Sequence, residues 1–279
     1  MRGIAVKDTR DSSQPPVVLS IAGSDSSGGA GIQTDLRTFA ALGVYATTCI
    51  TAVTAQSSIS GIEVSAMETD LVDRQIEGVV RDFELNAVKT GMLATLTTVE
   101  TVARWAAAGD LPNLVVDPVF AASNGQPLLE DGGIEAIATL LLPYCTIVTP
   151  NLDELALLSG SDSKHLTDLA AIEAAAHVLH GRGPAWVVAT GGHLQGDTCS
   201  DVVTNGISTW VLESERIQTP NSHGTGCTLS SAIAAGLANG LDPLAAIRNA
   251  KDYVTQCLKG SSQWRLVNGS GPLDHMGWQ

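Results

Sequence analysis

The sequence has few basic residues. Among 279 residues, 15 Lys and Arg stand against 29 Asp and Glu, which gives a formal net charge of -14. A nucleic-acid surface needs clustered cations to meet the phosphate backbone, so the composition excludes nucleic acid as a partner. If the ligand is a nucleoside triphosphate, the same scarcity predicts that a divalent metal and backbone amides at helix ends meet its charge.

Long apolar runs are also missing. The segment LLLPYCTIV is interrupted at Pro143 and Tyr144, well short of the roughly 18 residues that a membrane span needs, so we expect no membrane association. Residues 1–16 contain no apolar core of signal-peptide length and are interpreted as a flexible leader. Five cysteines without a CxxC pair argue against a disulfide framework or a structural zinc site, so we expect a cytoplasmic protein.

What the sequence does contain is a regular alternation of short apolar, β-branched segments with amphipathic segments of helical period. VVLSIAG, NAVKTG, NLVVDPV, CTIVTP and AWVVATGG have the character of buried strands, and helical patterns lie between them. This order predicts an α/β fold with a mainly parallel central sheet and helices on both faces. Asn205-Gly206 predicts a hairpin that forms a small antiparallel edge. No long linker divides residues 17–279, which we interpret as a single domain.

A glycine-rich loop, AGSDSSGGAGIQTD, follows the first predicted strand. It contains neither the G-x-G-x-x-G of a dinucleotide-binding fold nor the Gly-Lys-Ser/Thr of a P-loop. Its glycines would nevertheless let the backbone approach a ligand at the carboxyl end of that strand. The alternative interpretation is a flexible connector.

Three polar side chains follow two later predicted strands. Asp117 ends NLVVD, and Asn151 and Glu154 lie one helical turn apart in TPNLDELALL. Carboxylates at neighbouring strand ends predict a Mg²⁺ site completed by water and phosphate oxygens. Asn151 and Glu154 could instead simply cap the helix that begins there.

The segment HGTGC, residues 223–227, leads directly into the helical pattern TLSSAIAAGLANG. Amides at such a helix start would bind an anion, and the same field should lower the pKa of Cys227 and favour its thiolate. The competing interpretation is that Cys227 is a small packed residue. His177 and His180 lack a third ligand at a fixed spacing and are interpreted as a solvated helix face rather than a zinc site. No G-x-S-x-G is present, so hydrolase chemistry has no support.

These motifs together resemble the hydroxymethylpyrimidine and hydroxymethylpyrimidine-phosphate kinases of thiamin biosynthesis, within the ribokinase-like superfamily. The matching stretches run in the family's order from residue 19 to 275: LSIAGSDSSGGAGIQTDLRTFAALGVYATTCITAVTAQ, VKTGML, VVDPV, TPNLDE, GGHL, HGTGCTLSSAIAA and GPLDH. The resemblance implies a ribokinase-like fold, ATP and a small pyrimidine as substrates, Mg²⁺ as cofactor, and a homodimer.

The resemblance also implies roles for individual residues. Gly224, Thr225 and Gly226 would donate amides to the transferring phosphoryl group, and Cys227 would take the proton of the acceptor hydroxyl. The implied pyrimidine contacts are Gly23, Asp35, Gln56, Met92 and Val119. The implied nucleotide contacts are Asn151, Thr190 and Gly192, and the implied Mg²⁺ ligands are Asp117 and Glu154.

One departure from the family pattern concerns Thr190, which stands where close relatives usually carry a lysine that would meet the nucleotide phosphates. Threonine can donate one hydrogen bond but brings no charge. Two other functions stay open at this point: a kinase of a B6 vitamer, whose ring also carries a hydroxymethyl group, and a pyrimidine-binding protein that has lost catalysis, which the missing lysine suggests. The segment TAQSSISG around Gln56 is a candidate flap over the substrate.

Overall fold

The computed structural model describes residues 14–57, 61–122, 125–192 and 196–278, within which the backbone forms nine strands. Their bounds are β1 Val17–Asp25, β2 Tyr45–Ser57, β3 Gly61–Ala66, β4 Ala87–Thr90, β5 Leu114–Val116, β6 Ile147–Val148, β7 Trp186–Ala189, β8 Thr198–Thr204 and β9 Thr209–Glu215. All nine belong to one sheet in the order β3-β2-β1-β4-β5-β6-β7-β8-β9.

The centre of the sheet is parallel and both edges are antiparallel. Strands β2, β1, β4, β5, β6 and β7 run in the same direction. Strand β3 returns antiparallel on β2 at one edge, and β8 and β9 form the hairpin at the other. Parallel strands need crossover connections, and helices supply most of them here.

Within the described ranges, eight α-helices cover the sheet: α1 Gly31–Ala41, α2 Thr69–Asp82, α3 Leu96–Ala108, α4 Gly133–Ala136, α5 Leu152–Ser159, α6 Leu169–His180, α7 Thr225–Ala238 and α8 Pro243–Ser261. Helix α4 continues into a π-helical turn, Ile137–Leu141, and then a 3-10 turn, Leu142–Tyr144, which carries the proline that ends the helix. Among the helices of the described ranges, none has the length and apolar character required to cross a bilayer.

Two hydrophobic cores lie on opposite faces of the sheet. Alternate residues of β1 divide between them: Leu19 and Ile21 pack with the side of α2, α3, α5 and α6, whereas Val18 packs with the side of α1, α7 and α8. This division follows from the period of two along a strand, and it explains why β1 is apolar on both faces.

The fold class predicted from the sequence is confirmed, including the hairpin at Asn205-Gly206 between β8 and β9. Strand β3 is an addition, because GIEVSA pairs with β2, whereas the sequence predicts no element for residues 62–66. The tip of the predicted flap, residues 58–60, and most of the predicted leader, residues 1–13, lie outside the described residues.

Candidate active site

A cleft of about 1450 Å³ opens at the carboxyl ends of the parallel strands. The loops that follow β1, β4, β5, β6 and β7 line it on the sheet side, and the start of α7 closes it from the other. In open α/β sheets this edge is where ligands bind, since loops from several strands converge there. Of the predicted site residues, Gly23, Met92, Asp117, Val119, Asn151, Glu154, Thr190, Gly192, Gly224, Thr225, Gly226 and Cys227 all line this cleft.

One end of the cleft is apolar and tightly packed. A Cβ at Gly23 would lie only 3.2 Å from the sulfur of Met92, so a side chain at residue 23 would displace Met92. Met92 packs with Ala52 and with Val119 in a small hydrophobic cluster. The hydroxyl of Thr51 donates to the backbone oxygen of Met92 at 2.6 Å and fixes that loop. Gln56 lies on β2, but its side chain is outside the described part of the structure.

The expectation that Asp35 contacts the substrate is corrected. Asp35 lies on α1 with no exposed surface and does not line the cleft. Its two carboxylate oxygens lie 3.0 Å from the Nζ atom of Lys89, and the hydroxyls of Ser20 and Ser231 donate to them at 2.5 Å and 2.7 Å. Asp35 therefore belongs to a polar network beneath the cleft floor.

Lys89 is the cation of that network and also lines the cleft. Burial would lower the pKa of Lys89, but the charge of Asp35, with smaller contributions from Cys227 and Asp117, raises it above its ordinary value. Lys89 is therefore protonated at neutral pH. It places a positive charge close to the carboxylates of Asp35 and Asp117 and to the Cys227 thiol.

Another part of the cleft is formed by the first turn of α7. Gly224 adopts φ 85° as the residue before the helix, and a Cβ there would come within 1.9 Å of the carbonyl oxygen of Gly29, so only glycine fits. Thr225 donates from its amide and its hydroxyl to the carbonyl of Ser222, at 3.3 Å and 2.7 Å. The amides of Gly226 and Cys227 lie in the first helical turn, where the helix itself supplies no acceptor. They are the stronger candidates for binding an anion.

The prediction of a lowered pKa for Cys227 is wrong for the described structure. Burial raises the pKa of the thiol to about 12, and the nearby carboxylates of Asp117 and Asp35 add to that effect. Lys89 acts in the opposite direction but does not outweigh them. In turn, the Cys227 thiol is close enough to Asp117 to lower the pKa of that carboxyl. Cys227 is consequently a neutral thiol near pH 7 in the absence of ligands.

Asp117 and Glu154 face the cleft from neighbouring strand ends. Glu154 and Asn151 form a capping box at the start of α5, with Asn151 Oδ1 accepting from the Glu154 amide at 3.0 Å and Glu154 Oε2 accepting from the Asn151 amide at 2.8 Å. The capping interpretation is thus confirmed, and Glu154 still reaches the cleft.

The carboxyl groups of Asp117 and Glu154 both have raised pKa values. Burial raises the pKa of Asp117, although Lys89 and the hydroxyl of Ser230, which donates to it at 3.1 Å, oppose this. Burial and the charge of Asp117 together raise the pKa of Glu154 well above its ordinary value. Two buried carboxylates with raised pKa values, one of them raised in part by the charge of the other, fit a divalent cation, because a cation would relieve their repulsion. Among the described residues, no group of three or more His, Cys, Asp and Glu gathers to hold a metal, so such an ion would need further oxygen ligands from a substrate or water.

A third part of the cleft lies between β7 and α8. Thr190 donates from its amide to the carbonyl of Pro150 at 2.9 Å, which joins the ends of β6 and β7. Gly192 accepts at 2.7 Å from Arg216, which also donates to the carbonyl of Gly196. Lys251 pairs with Asp201 at 2.7 Å, so cations do reach this part of the cleft.

The sequence reasoning missed these cations. Lys89 could have been found, because a lysine inside the apolar strand AVKT is rare unless it is paired. Arg216 and Lys251 carried no comparable signal, since each lies in a polar or amphipathic segment. Their place in the cleft depends on contacts between distant parts of the chain.

Comparison with known proteins shows the same architecture and closely related sequences. A family model described as phosphomethylpyrimidine kinase matches residues 25–274. A hydroxymethylpyrimidine/phosphomethylpyrimidine kinase of Streptomyces coelicolor is 46% identical over 264 residues, 95% of each chain. Bacillus subtilis pyridoxal kinase, solved as an ADP complex, superposes with a TM-score of 0.87 at 37% identity over 95% of this chain and 98% of its own. A phosphomethylpyrimidine kinase from Clostridium difficile gives a TM-score of 0.76 at 34% identity, over 87% of this chain and 99% of its own.

Proposed function

The chain belongs to the phosphomethylpyrimidine kinase family, and from this premise we propose how its cleft works as the active site of an ATP-dependent kinase. The reaction is the transfer of a phosphoryl group to hydroxymethylpyrimidine, and then to the monophosphate that results. The observation that supports the site assignment is that Cys227 and the start of α7 line the same cleft as Met92 and Asp117, with Asp117 close enough to Cys227 to raise its pKa.

The apolar end of the cleft is proposed to hold the pyrimidine ring. Met92 and Val119 offer a flat apolar contact, and the absence of a side chain at Gly23 lets the ring approach the backbone of β1. Gln56, on the neighbouring strand, is proposed to read the donor and acceptor pattern of the ring. Asp35 is left out of this set, because the Lys89 network uses its carboxylate.

Phosphoryl transfer is proposed to take place at the first turn of α7. The acceptor oxygen of the substrate forms a bond to the γ-phosphorus while the bond from that phosphorus to the bridging oxygen breaks, and ADP leaves. Gly226 and Cys227 amides would stabilise the charge on the transferring group, a larger contribution than proton removal in a loose transition state. Because burial keeps the Cys227 thiol neutral in the ligand-free cleft, the thiol is proposed to release its own proton to solvent when the substrates bind, and the resulting thiolate then accepts the hydroxyl proton. Lys89 favours that thiolate and the two carboxylates oppose it.

Mg²⁺ is proposed to be held by Asp117 and Glu154 together with phosphate oxygens and water. When bound, the ion would neutralise phosphate charge and relieve the repulsion between the two carboxylates. On the nucleotide side, Asn151, Thr190 and Gly192 are proposed contacts. The cleft wall formed by α8 and the segment after it, with Val254, Leu258, Leu266 and Val267, suits an adenine ring.

A second candidate substrate is a B6 vitamer, because a pyridoxal kinase superposes on this chain with a TM-score of 0.87. Both substrates carry a hydroxymethyl group on a planar nitrogen ring, so the shared fold does not separate them. The ratio of kcat/KM for hydroxymethylpyrimidine to kcat/KM for pyridoxal shows which compound is the preferred substrate, and we expect it to favour hydroxymethylpyrimidine.

The direct test is turnover by the purified full chain. Incubation with Mg-ATP and hydroxymethylpyrimidine should yield ADP and first the monophosphate, then the diphosphate, by mass spectrometry. A folded protein that forms neither product would refute the proposed function. Tight binding of the pyrimidine without ADP formation would instead identify a binding protein.

On the resemblance alone, we also propose a cytoplasmic homodimer, for which light scattering should give twice the chain mass.

A further inference from the structure

The carboxylate of Asp25 organises the glycine-rich loop that follows β1. One oxygen accepts from the Ser27 amide at 2.8 Å, and the other accepts from the Ser27 hydroxyl and the Ala30 amide, both at 2.9 Å. The oxygen that binds Ala30 also accepts from His223 Nε2 at 2.9 Å. Asp25 is 4% exposed, so all four hydrogen bonds are formed inside the protein. The contact with His223 joins residues that lie 198 positions apart in the sequence.

The two loops joined by this hydrogen bond are also in direct contact. A Cβ at Gly29 would lie 2.3 Å from the ring of His223, and a Cβ at Gly224 would lie 1.9 Å from the oxygen of Gly29. Both glycines are therefore required by the approach of one loop to the other. The backbone amide of His223 donates to the carbonyl of Gly271 at 3.0 Å. This hydrogen bond anchors the loop to the C-terminal segment.

The position of these loops gives the contact a functional meaning. The loop of Asp25 leaves β1 two residues after Gly23, at the apolar end of the cleft. His223 immediately precedes Gly224 and the amides of the α7 start. The hydrogen bond therefore joins the loop next to the proposed pyrimidine pocket to the loop that precedes the proposed anion-binding turn of α7.

We propose that Asp25 and His223 are positioning residues for phosphoryl transfer, which set the distance between the substrate pocket at Gly23 and the anion-binding turn of α7. Neither side chain has to touch the reacting atoms. This coupling rests on the proposed kinase function and adds two residues to it. Misplacement of reacting groups by about 1 Å can cost on the order of 100-fold in rate, so a contact of this kind acts on kcat.

The charge state of Asp25 supports a strong contact at neutral pH. Burial would raise its pKa, but the hydrogen bonds from His223 and Ser27 outweigh burial and lower the pKa to about 2. Asp25 is therefore an anion throughout the range in which the enzyme can be assayed. It then accepts from His223 whether or not the imidazole is charged.

The test compares His223→Phe, which keeps the ring volume against Gly29, with His223→Gln, whose amide can restore a donor. We expect His223→Phe to lower kcat about 10- to 100-fold with KM for both substrates changed by less than about threefold. His223→Gln should recover most of the loss. Asp25→Asn, made from the other side of the contact, should lower kcat by a similar factor, and Asp25→Asn/His223→Phe should be no worse than the poorer single variant.

His177→Phe is the matched control, because His177 is an exposed residue of α6 that contacts Glu173 and Thr209 and does not line the cleft; it should keep wild-type kinetics. If the wild type is active but His223→Phe keeps the wild-type kcat, the proposed coupling of the two loops is refuted and the kinase function stands. The same holds if the losses in kcat of the two single variants multiply in the double variant. The coupling is also refuted if His223→Phe lowers kcat and substrate affinity equally and His223→Gln does not reverse these losses. Absence of turnover by folded wild type would instead refute the kinase function and the coupling with it.

Discussion

Lys89→Met tests whether the buried charge network supports the cleft floor. The substitution removes the cation and leaves Asp35 buried, with only the hydroxyls of Ser20 and Ser231 as partners. Removing one partner of a buried ion pair typically costs about 3–5 kcal/mol, because the remaining charge is uncompensated. Since neither side chain of the pair has any exposed surface, we expect a loss of unfolding free energy in that range.

The assay is urea unfolding followed by circular dichroism, with the free energy obtained by linear extrapolation. Adding Asp35→Asn to Lys89→Met should restore part of the lost stability, and the double-mutant cycle should give a coupling of at least about 1 kcal/mol. Lys259→Met is the matched control. Its pair with Glu215, at 3.1 Å, is largely exposed and should be worth less than about 1 kcal/mol.

The pH dependence of this effect has a definite sign. The pKa of Lys89 is raised above its ordinary value of 10.5, so the stability that it contributes is fully present below that pH and is lost only as the pH rises through the folded-state pKa. The difference between wild type and Lys89→Met should therefore be constant between about pH 6 and pH 9. A Lys89→Met variant within about 1 kcal/mol of wild type, or single effects that add without coupling, would refute the reasoning.

Two further predictions concern the thiol and the nucleotide side. In metal-free protein, alkylation of Cys227 by iodoacetamide should be slow at neutral pH, because the pKa of the thiol is near 12. The alkylation rate should rise about tenfold per pH unit to at least about pH 10. A rate that levels off below about pH 9 would mean that the helix field lowers the pKa of Cys227 more than burial raises it. Peptide mass spectrometry separates Cys227 from half-buried Cys199. Thr190→Lys should lower KM for ATP about two- to fivefold, since it adds a partly solvated charge beside the proposed phosphate position; Thr190→Gln serves as the uncharged control, and an unchanged KM for ATP would place residue 190 away from the phosphates.

The sequence predicted those features of the fold that depend on local pattern. The alternation of strands and helices was sufficient for the parallel sheet, and Asn205-Gly206 was sufficient for the β8–β9 hairpin. The capping box of Asn151 and Glu154 was visible as a three-residue spacing. Strand β3 was missed because a six-residue segment next to a long strand has no periodic signal that separates it from a loop.

What could not be predicted depends on contacts between distant residues. The family motif predicts a substrate contact for Asp35, but Lys89, 54 residues later, binds its carboxylate. For Cys227, the helix start is evident from the glycines before it, whereas its pKa is raised by burial and by two carboxylates from distant segments, Asp35 on α1 and Asp117 directly after β5. Asp25 and His223 gave no sequence signal as a pair, since their contact exists only when the two loops meet.

The central claim is that the start of α7, with Cys227, is where the phosphoryl group is transferred. Steady-state kinetics of Cys227→Ala with hydroxymethylpyrimidine and Mg-ATP test it most directly. We expect kcat to fall by a factor on the order of 10²–10⁴, the range for loss of a proton acceptor, with little change in KM for either substrate. An unchanged kcat, or equal losses in kcat and substrate affinity, would show that Cys227 only packs at the helix start and would contradict the account.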